Sequence, residues 1–254
     1  MTHAIAIDGL SGAGKSTVSR LLAQYLGIHY LDTGAMYRSL AYAAKEARIN
    51  LTQEDQIKDW LPASGLEIVL DNQGQKTFIH GVDVSNLIRT PEMSRLSSEI
   101  SALPPVRHYC VAKQRELANQ KPLVLDGRDI GSFVLPDADF KFYLEATAEE
   151  RAKRRWLQMQ IDADPNTKTQ SLEQVLQEIR SRDINDSNRK LAPAVAAEDA
   201  IVIDTTKLNL DQVVDRILYL MQEKANTNEI TKSFWHEYLE KAQVFDYDKG
   251  KEEI

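Results

Sequence analysis

The stretch Gly9-Leu10-Ser11-Gly12-Ala13-Gly14-Lys15-Ser16 decides the fold of this chain. It matches the pattern G-x-x-x-x-G-K-[ST], in which a glycine-rich loop wraps a chain of phosphates. Residues 3–8 before it form an apolar run of strand length, and residues 17–26 after it place apolar side chains at helical spacing. A strand, a glycine loop and a helix in this order predict a phosphate-binding loop, because the loop amides and the helix N-terminus then face the anion. The alternative is a glycine-rich turn that binds nothing, and the flanking strand and helix argue against it.

Two side chains of this loop carry specific expectations. Lys15 would reach the β- and γ-phosphates of a nucleoside triphosphate, and the Ser16 hydroxyl would ligate Mg²⁺. The glycines let the backbone approach the phosphates, since no Cβ stands in the way. The predicted ATP-binding residues are Gly9, Leu10, Ser11, Gly12, Ala13, Gly14, Lys15, Ser16 and Thr17.

Length, cysteine content and charge limit the function classes. The 254 residues suffice for one α/β domain with a small insertion or tail. No run approaches the ~18 apolar residues of a membrane span, and no leader pattern precedes the first strand. Cys110 is the only cysteine, which indicates a chain without disulfides and predicts the cytoplasm. A net charge of −7 and a pI near 5.4 argue against a nucleic-acid binder, which usually carries a basic face. We therefore expect neither nucleic acid nor a membrane as a partner.

Short apolar runs separated by helical patterns indicate a parallel sheet. Beyond the first strand, these runs lie at residues 28–31, 123–125, 140–144 and 201–203. Their alternation with helices predicts an α/β fold with crossover connections. Residues 66–70 and 77–80 instead flank a turn, which predicts an antiparallel hairpin, and residues 81–85 could add a third strand.

The same patterns predict how the chain is divided. The core is expected at residues 1–63 and 105–224, with an insert at 64–104 and a C-terminal extension of unknown role at 225–254. Within the extension, residues 226–228 are typical of a linker. The helix predicted after them has aromatic and aliphatic side chains at helical spacing, namely Ile230, Phe234 and Tyr238, with Trp235 and Leu239 beside them. A helix packed on the core, or a frayed terminus, is favoured over a partner-binding segment.

Acidic residues end several of the predicted strands. Asp8, Asp32 and Asp126 are expected near a ligand, because the carboxyl ends of parallel strands border the ligand crevice. Capping of a loop or helix is the alternative for each of them. For Asp126 two interpretations stay open: a link to Mg²⁺ through water, or orientation of the turn at Gly127 and Arg128.

Three further segments accompany the phosphate-binding loop in a fixed order: Leu31-Asp32-Thr33-Gly34-Ala35-Met36-Tyr37-Arg38, Leu125-Asp126-Gly127-Arg128-Asp129-Ile130-Gly131 and Arg182-Asp183-Ile184-Asn185-Asp186-Ser187-Asn188-Arg189. Together they resemble the bacterial cytidylate kinase family, which are P-loop nucleoside monophosphate kinases, up to about residue 224. The resemblance implies a P-loop NTPase three-layer α/β/α core with a parallel sheet, a small antiparallel insert that binds the acceptor, and a helical lid at about residues 151–189. It further implies a monomer that transfers a phosphoryl group from ATP to CMP or dCMP, with Mg²⁺ as the cofactor.

The resemblance also implies roles for single residues. The residues implied to hold the acceptor are Arg38, Arg128 and Arg189 for its phosphate, Ser98, Arg107 and Asp129 for its cytosine, and Arg182 and Asp186 for its sugar. The implied catalytic residues are Lys15, Arg128, Asp129, Arg154 and Arg155. Thr33 stands where the family often has serine, and its hydroxyl can serve similarly. Arg154 and Arg155 are helical neighbours that point apart, so at least one is expected to face the donor phosphates. Asp183 is expected to pair with a nearby arginine.

Elementary chemistry agrees with these roles. Phosphoryl transfer brings two polyanions together, and fixed guanidinium groups offset their repulsion. Arginine suits this task because its planar fork binds phosphate oxygens in pairs. Cytosine presents a ring acceptor and an exocyclic donor, which a guanidinium and a carboxylate complement.

Two other functions are also compatible with a phosphate-binding loop. The first is another small-molecule P-loop kinase that acts on a different nucleotide or on a metabolite such as shikimate. The second is a nucleotide-dependent switch, since residues 71–74 match the D-x-x-G pattern of GTPases. The chain contains no N-K-x-D sequence, and this argues against a guanine-reading switch.

Overall fold

Strands and helices alternate along most of the chain. The computed structural model describes residues 3–71, 74–161, 170–227 and 229–244. The strands are β1 (Ala4–Gly9), β2 (His29–Asp32), β3 (Leu66–Asp71), β4 (Gly74–Ile79), β5 (Val82–Asp83), β6 (Leu123–Asp126), β7 (Phe140–Glu145) and β8 (Ile201–Asp204). The α-helices are α1 (Lys15–Leu26), α2 (Thr33–Glu46), α3 (Glu54–Trp60), α4 (Pro91–Ile100), α5 (Pro104–Gln120), α6 (Ala148–Ile161), α7 (Leu172–Ser187), α8 (Leu210–Thr227) and α9 (Glu229–Val244). A 3₁₀ turn (Leu61–Ala63) precedes β3, and a π-helical turn (Ile130–Val134) follows β6.

The central sheet has five parallel strands in the order β2-β6-β1-β7-β8. Every residue of the middle strand β1 is buried, as expected for a parallel sheet with helices on both faces. Alternate residues of β1 serve opposite faces. Ala4 and Ala6 pack with residues of α2, α4 and α5, whereas Ile5 and Ile7 pack with residues of α1, α8 and α9. The predicted three-layer α/β/α core is therefore confirmed.

The predicted antiparallel insert is also present. Strands β3, β4 and β5 form a separate sheet in that order, and β3 pairs with β4 from Leu66–Ile79 to Asp71–Gly74. Residues 72 and 73, which complete the D-x-x-G pattern, lie outside the described residues, but the ends of that pattern pair with each other as hairpin neighbours. Helices α4 and α5 follow the hairpin. The predicted break between them is present, and α5 begins at Pro104, a residue type that is favoured in the first turn of a helix.

The C-terminal region differs from the sequence prediction in one respect. Helix α8 continues to Thr227, so residues 226 and 227 are helical where a linker was predicted. Ala225 at this end is buried, and packing on the core outweighs the low helix propensity of asparagine and threonine. Residue 228 and the side chain of Ile230 lie outside what the structure describes. In α9 the buried side chains are Trp235 and Leu239, and they lie against the face of the core that α1 and α8 cover.

None of the described helices has both the length and the apolar content that a bilayer crossing requires.

Candidate active site

A single large cleft lies beyond the carboxyl ends of the parallel strands. Its volume is about 2090 Å³. Three turns form its floor: the glycine loop after β1, the turn between β2 and α2, and the turn after β6. Helix α4 of the insert borders one side, and α6 and α7 border another. Most of the predicted site residues line this cleft; Gly9, Leu10 and Asp186 lie behind its surface.

The glycine loop has the backbone that its sequence predicts. Gly12 and Gly14 have φ angles of 80° and 88°, values that side chains other than glycine rarely tolerate. At Gly12 a Cβ atom would stand 2.9 Å from the carbonyl oxygen of Arg151 in α6. Gly14 is the N-cap of α1, so the N-terminus of that helix opens directly onto the cleft. The loop is therefore shaped for an anion, and α6 lies against its outer side.

Lys15 is buried within the glycine loop. Its Nζ donates a hydrogen bond to the carbonyl oxygen of Leu10 at 2.7 Å. Burial, and next the charge of Arg128, lower the pKa of Lys15 well below its ordinary value. An anion in the loop would favour the charged ammonium, because an opposite charge at close range stabilises the ionised form.

Ser16, Asp126 and Tyr30 form a hydrogen-bonded chain beside the loop. The Ser16 hydroxyl donates to Oδ2 of Asp126 at 2.7 Å, and the Tyr30 hydroxyl donates to Oδ1 at 2.8 Å. Burial, together with nearby Asp32, raises the pKa of Asp126. Burial and the neighbouring carboxylates also raise the pKa of Tyr30, so its phenol remains a donor. Both interpretations of Asp126, a link to Mg²⁺ through water and orientation of the turn at Gly127 and Arg128, stay predictions.

The oxygens of Ser16 and Asp126 fit a Mg²⁺ ion that arrives with a nucleotide. Magnesium prefers oxygen ligands and usually keeps phosphate and water oxygens in its shell. Within the described residues no cluster of three or more His, Cys, Asp or Glu side chains could hold an ion alone. A hydroxyl and one carboxylate beside a phosphate loop suit an ion whose other ligands are phosphate and water.

Two strand-end aspartates organise the neighbouring turns, as their capping alternative predicts. Asp32 accepts a hydrogen bond from the amide of Ala35 at 2.8 Å and caps α2; it also pairs with Arg38 at 2.7 Å. Asp8 accepts from the amides of Ile130 and Gly131, each at 2.8 Å. These bonds tie the strand that carries the phosphate loop to the turn that carries Arg128 and Asp129. Burial raises the pKa of Asp8 to about 7.

Asp186 is the centre of an arginine cluster. Its Oδ2 accepts from Nε of Arg128 at 2.9 Å, its Oδ1 accepts from Arg189, and Arg182 lies 3.9 Å away. Although burial works against its charged form, Arg128 and Arg189 hold the pKa of Asp186 below its ordinary value. Burial, and next Arg128, lower the pKa of Arg182 to about 10. One buried carboxylate thus holds three guanidinium groups at the cleft.

Arg107 and Asp129 form a buried pair in the lining of the cleft. Nη2 of Arg107 donates to Oδ2 of Asp129 at 2.8 Å, and the two side chains are 2% and 7% exposed. Ser98 also lines the cleft, and Thr33 donates to the backbone oxygen of Asp126 at 2.6 Å. A buried guanidinium beside a carboxylate offers donors and an acceptor to a polar ring.

Helix α6 carries three arginines with different partners. Arg151 is buried and bonds Asp183 at 2.7 Å and the carbonyl oxygen of Ser11 at 2.9 Å, so Asp183 does pair with an arginine. Arg154 donates to the carbonyl oxygen of Thr205 at 2.6 Å. Within the described residues, Arg155 donates to Gln158 at 3.5 Å. Both Arg154 and Arg155 line the cleft.

Sequence reasoning missed several residues at this site. Tyr30 contacts Asp126, 96 positions away, and no local motif announces that contact. Its position two residues before Asp32 is the available signal, since alternation along a strand puts both on one face. Residues 205–210 after β8 also line the cleft next to Arg154, although their sequence resembles an ordinary turn.

The comparisons with known proteins agree with this geometry. A family profile described as Cytidylate kinase matches residues 5–223. Cytidylate kinase from Desulfitobacterium hafniense is 47% identical over 224 residues, covering 88% of this chain and 94% of the relative. Cytidylate kinase from a Geobacillus species is 44% identical over 220 residues, covering 87% and 96%. Among solved structures, a shikimate kinase from Bacteroides thetaiotaomicron is similar with a TM-score of 0.44 at 12% identity, covering 87% of this chain and 98% of that one; so low a score does not bear on the acceptor. The chain belongs to the cytidylate kinase family.

Proposed function

We propose that this chain is a cytidylate kinase that transfers the γ-phosphoryl group of MgATP to CMP or dCMP. An oxygen of the acceptor's phosphate attacks the γ-phosphorus while the bond to the β-phosphate oxygen breaks, giving CDP or dCDP and ADP. The observation that carries this proposal is that one cleft is lined both by the phosphate loop and by the buried Arg107–Asp129 pair. Arg128, Arg182 and Arg189, which Asp186 holds, line the same cleft.

In this proposal the donor site is the glycine loop with Lys15 and Ser16. Magnesium would be held by the nucleotide's phosphates and by the Ser16 oxygen, with Asp126 beside it, and it would neutralise charge on the phosphates. The Lys15 ammonium would stabilise the negative charge of the transferring group, and this stabilisation is strong because a buried charge acts in a low dielectric. We assign to Arg155 the contact that an arginine of α6 would make with the transferring phosphoryl group. Arg154 already donates hydrogen bonds to Glu150 and to the carbonyl oxygen of Thr205.

The acceptor site would be formed by side chains from α2, α4, α5, the turn after β6, and α7 with the residues that follow it. Arg38, Arg128 and Arg189 would hold the acceptor's phosphate, which then competes with Asp32 and Asp186 for them. Arg107, Asp129 and Ser98 would read cytosine. Discrimination arises because an analogue with the wrong edge leaves these buried polar groups unpaired. Arg182 and Asp186 would hold the sugar.

Three broader assignments accompany the reaction. We propose that the enzyme is a cytoplasmic monomer and that it has neither nucleic acid nor a membrane as a partner. We also divide the chain as the sequence predicts: core, acceptor insert, lid at about 151–189 and extension. Closure of the lid over both nucleotides would exclude water, which otherwise competes as the nucleophile.

The experiment that tests the proposal is a panel of acceptors offered with MgATP. CMP, dCMP, UMP, AMP, GMP and shikimate are supplied at equal concentration, and formation of ADP and of the phosphorylated acceptor is measured. We expect CMP or dCMP to react at least about 100-fold faster than the purine nucleotides and shikimate, because the two classes differ in buried hydrogen bonds. A faster reaction of any purine nucleotide or of shikimate would refute the acceptor assignment. Hydrolysis of ATP without transfer to any acceptor would refute the kinase itself.

A further inference from the structure

The Tyr30 hydroxyl makes a contact that the roles assigned above do not use. It donates to one oxygen of the Asp126 carboxylate at 2.8 Å, while the other oxygen accepts from Ser16 at 2.7 Å. Asp126 is 5% exposed, so water has little access to take the place of either hydroxyl. Each carboxylate oxygen therefore has one fixed protein donor.

The register of the sheet explains why these three residues meet. Strands β2 and β6 pair in parallel with Tyr30 opposite Val124 and Asp32 opposite Asp126. Tyr30 and Val124 both pack on the face that α1 covers, and Asp126, two residues beyond Val124, shares that face. Ser16 lies in the first turn of α1, above the same face. The contact is thus built by strand pairing and does not depend on a flexible surface side chain.

The chemistry of a metal-ligating hydroxyl gives this chain of bonds a purpose. A hydroxyl oxygen that lends a lone pair to a cation must point its proton elsewhere. The Ser16 hydroxyl donates its hydrogen bond to Asp126 Oδ2, so a lone pair of the Ser16 oxygen can face a phosphate-bound ion. The carboxylate can do this only while its plane is fixed, and the Tyr30 hydroxyl is the contact that fixes its far oxygen. Groups that orient the partners of a metal ligand typically matter by about 10- to 100-fold in metal affinity.

We propose that Tyr30 is a positioning residue for the magnesium half of the donor site, acting through Asp126 on Ser16. The inference rests on the proposed function, since it takes the ion to be the Mg²⁺ of MgATP. Tyr30 touches neither nucleotide in this scheme; it sets the orientation of a carboxylate. Its effect should therefore appear in the contribution of Mg²⁺ to ATP binding and should be absent from ATP binding without metal.

The test is Tyr30→Phe, which removes the hydroxyl and leaves the ring packed on the α1 face. The matched control is Tyr219→Phe, because Tyr219 also donates to a carboxylate, that of Glu223 at 2.7 Å, and Glu223 does not line the cleft whereas Asp126 does. Equilibrium binding of ATP is measured by calorimetry with excess EDTA and with excess Mg²⁺, without any acceptor. We expect Mg²⁺ to strengthen ATP binding about 10-fold less in Tyr30→Phe than in the unaltered chain. Metal-free binding should stay within about twofold, and Tyr219→Phe should match the unaltered chain in both states.

A second variant tests whether Tyr30 acts through Asp126. In an Asp126→Asn background, adding Tyr30→Phe should change the Mg²⁺ effect by less than about twofold, because the carboxylate it orients is gone. If Tyr30→Phe weakens metal-free and Mg²⁺-dependent binding equally, or acts additively with Asp126→Asn, the inference is wrong. A full Mg²⁺ effect in Tyr30→Phe would refute the role of Tyr30 alone. An unaltered chain whose ATP binding ignores Mg²⁺ would instead contradict the metal role in the proposed function.

Discussion

Asp8 shows how a single buried carboxylate joins the two halves of the cleft. It ends the strand before the glycine loop and accepts the amides of Ile130 and Gly131. Burial raises the pKa of Asp8 from 3.8 to about 7, against the effect of those amides, which lower it. Between about pH 4 and 7 the folded protein therefore keeps a proton on Asp8 that the unfolded chain has released. Because the folded state binds more protons in this window, the contribution of Asp8 to stability falls as the pH rises and becomes level above about pH 7.

This linkage predicts how Asp8→Asn changes the pH dependence of stability. The free energy of unfolding of the unaltered chain, measured relative to Asp8→Asn, should fall by roughly 2–3 kcal/mol from pH 5 to pH 8. Urea unfolding of both proteins at several pH values gives this difference. Asp204→Asn is the control, since Asp204 also ends a strand but has a pKa lowered by its hydrogen bonds with Thr206, so its difference should stay level. If the difference in the free energy of unfolding between the unaltered chain and Asp8→Asn stays constant or grows with pH, the assigned linkage is wrong.

At the residue scale, the sequence identified side chains better than it identified their partners. It placed Asp8, Asp32 and Asp126 near a ligand because strand ends share an edge, and the cleft lies at that edge. It could not identify Tyr30 as the partner of Asp126, because such a contact depends on which strands are neighbours. Similarly, the motif around Asp186 predicts a ligand contact, but it did not identify Arg128 and Arg189 as the donors to its carboxylate oxygens.

One glutamine of the insert hairpin bonds directly to the turn between β2 and α2. Gln75 of β4 accepts from the backbone amide of Asp32 at 2.7 Å, and it donates back to the Asp32 carbonyl oxygen at 3.3 Å. Asp32 in turn caps α2 and pairs with Arg38. The position of the insert is thus coupled to the turn that holds Arg38, the residue that we propose binds the acceptor's phosphate.

Gln75→Ala should therefore affect the acceptor more than the donor. The variant loses two hydrogen bonds to a half-buried backbone, so we expect the free energy of unfolding to fall by about 1–2 kcal/mol. The KM for CMP should rise about 5-fold while the KM for ATP stays within about twofold, since a misplaced turn costs part of a charge-assisted contact. Gln24→Ala, at an exposed position of α1, is the control and should change neither constant. Equal rises in both KM values would show that the glutamine acts on the whole fold.

At the element scale, the strands were predicted closely because buried parallel strands are short continuous apolar runs. The hairpin was likewise visible from its turn residues. The boundary between α8 and α9 was not predicted. Asn226 and Thr227 have low helix propensity, and the packing of Ala225 on the core, which extends α8, is not visible in the local sequence. The strand order was also beyond the sequence, since it depends on where each crossover helix finds an apolar face.

The whole molecule includes a segment beyond the family match, which ends at residue 223. In that segment Trp235 is fully buried and its indole N–H donates to Asp139 at 2.8 Å. Its ring meets Phe140, the first residue of β7, edge to face at a centroid distance of 5.5 Å. Helix α9 thereby closes the apolar face that α1 and α8 leave open at one end of the sheet. No described residue of α9 lines the cleft, so its contribution should be to stability.

Two substitutions at Trp235 separate packing from hydrogen bonding in that contribution. Trp235→Ala should lower the free energy of unfolding by about 3–5 kcal/mol, because it opens a large cavity in the core. Trp235→Phe keeps most of the ring and loses the bond to Asp139, so a loss of about 1–2 kcal/mol is expected. Urea unfolding measures both, and the kcat and KM of each variant are determined at a temperature where it is folded. Unchanged kcat and KM values would show that α9 stabilises the fold and has no effect on catalysis. A fall in kcat in Trp235→Phe, at full occupancy of the folded state, would instead show that α9 acts on catalysis through α1, the helix that begins at the phosphate loop.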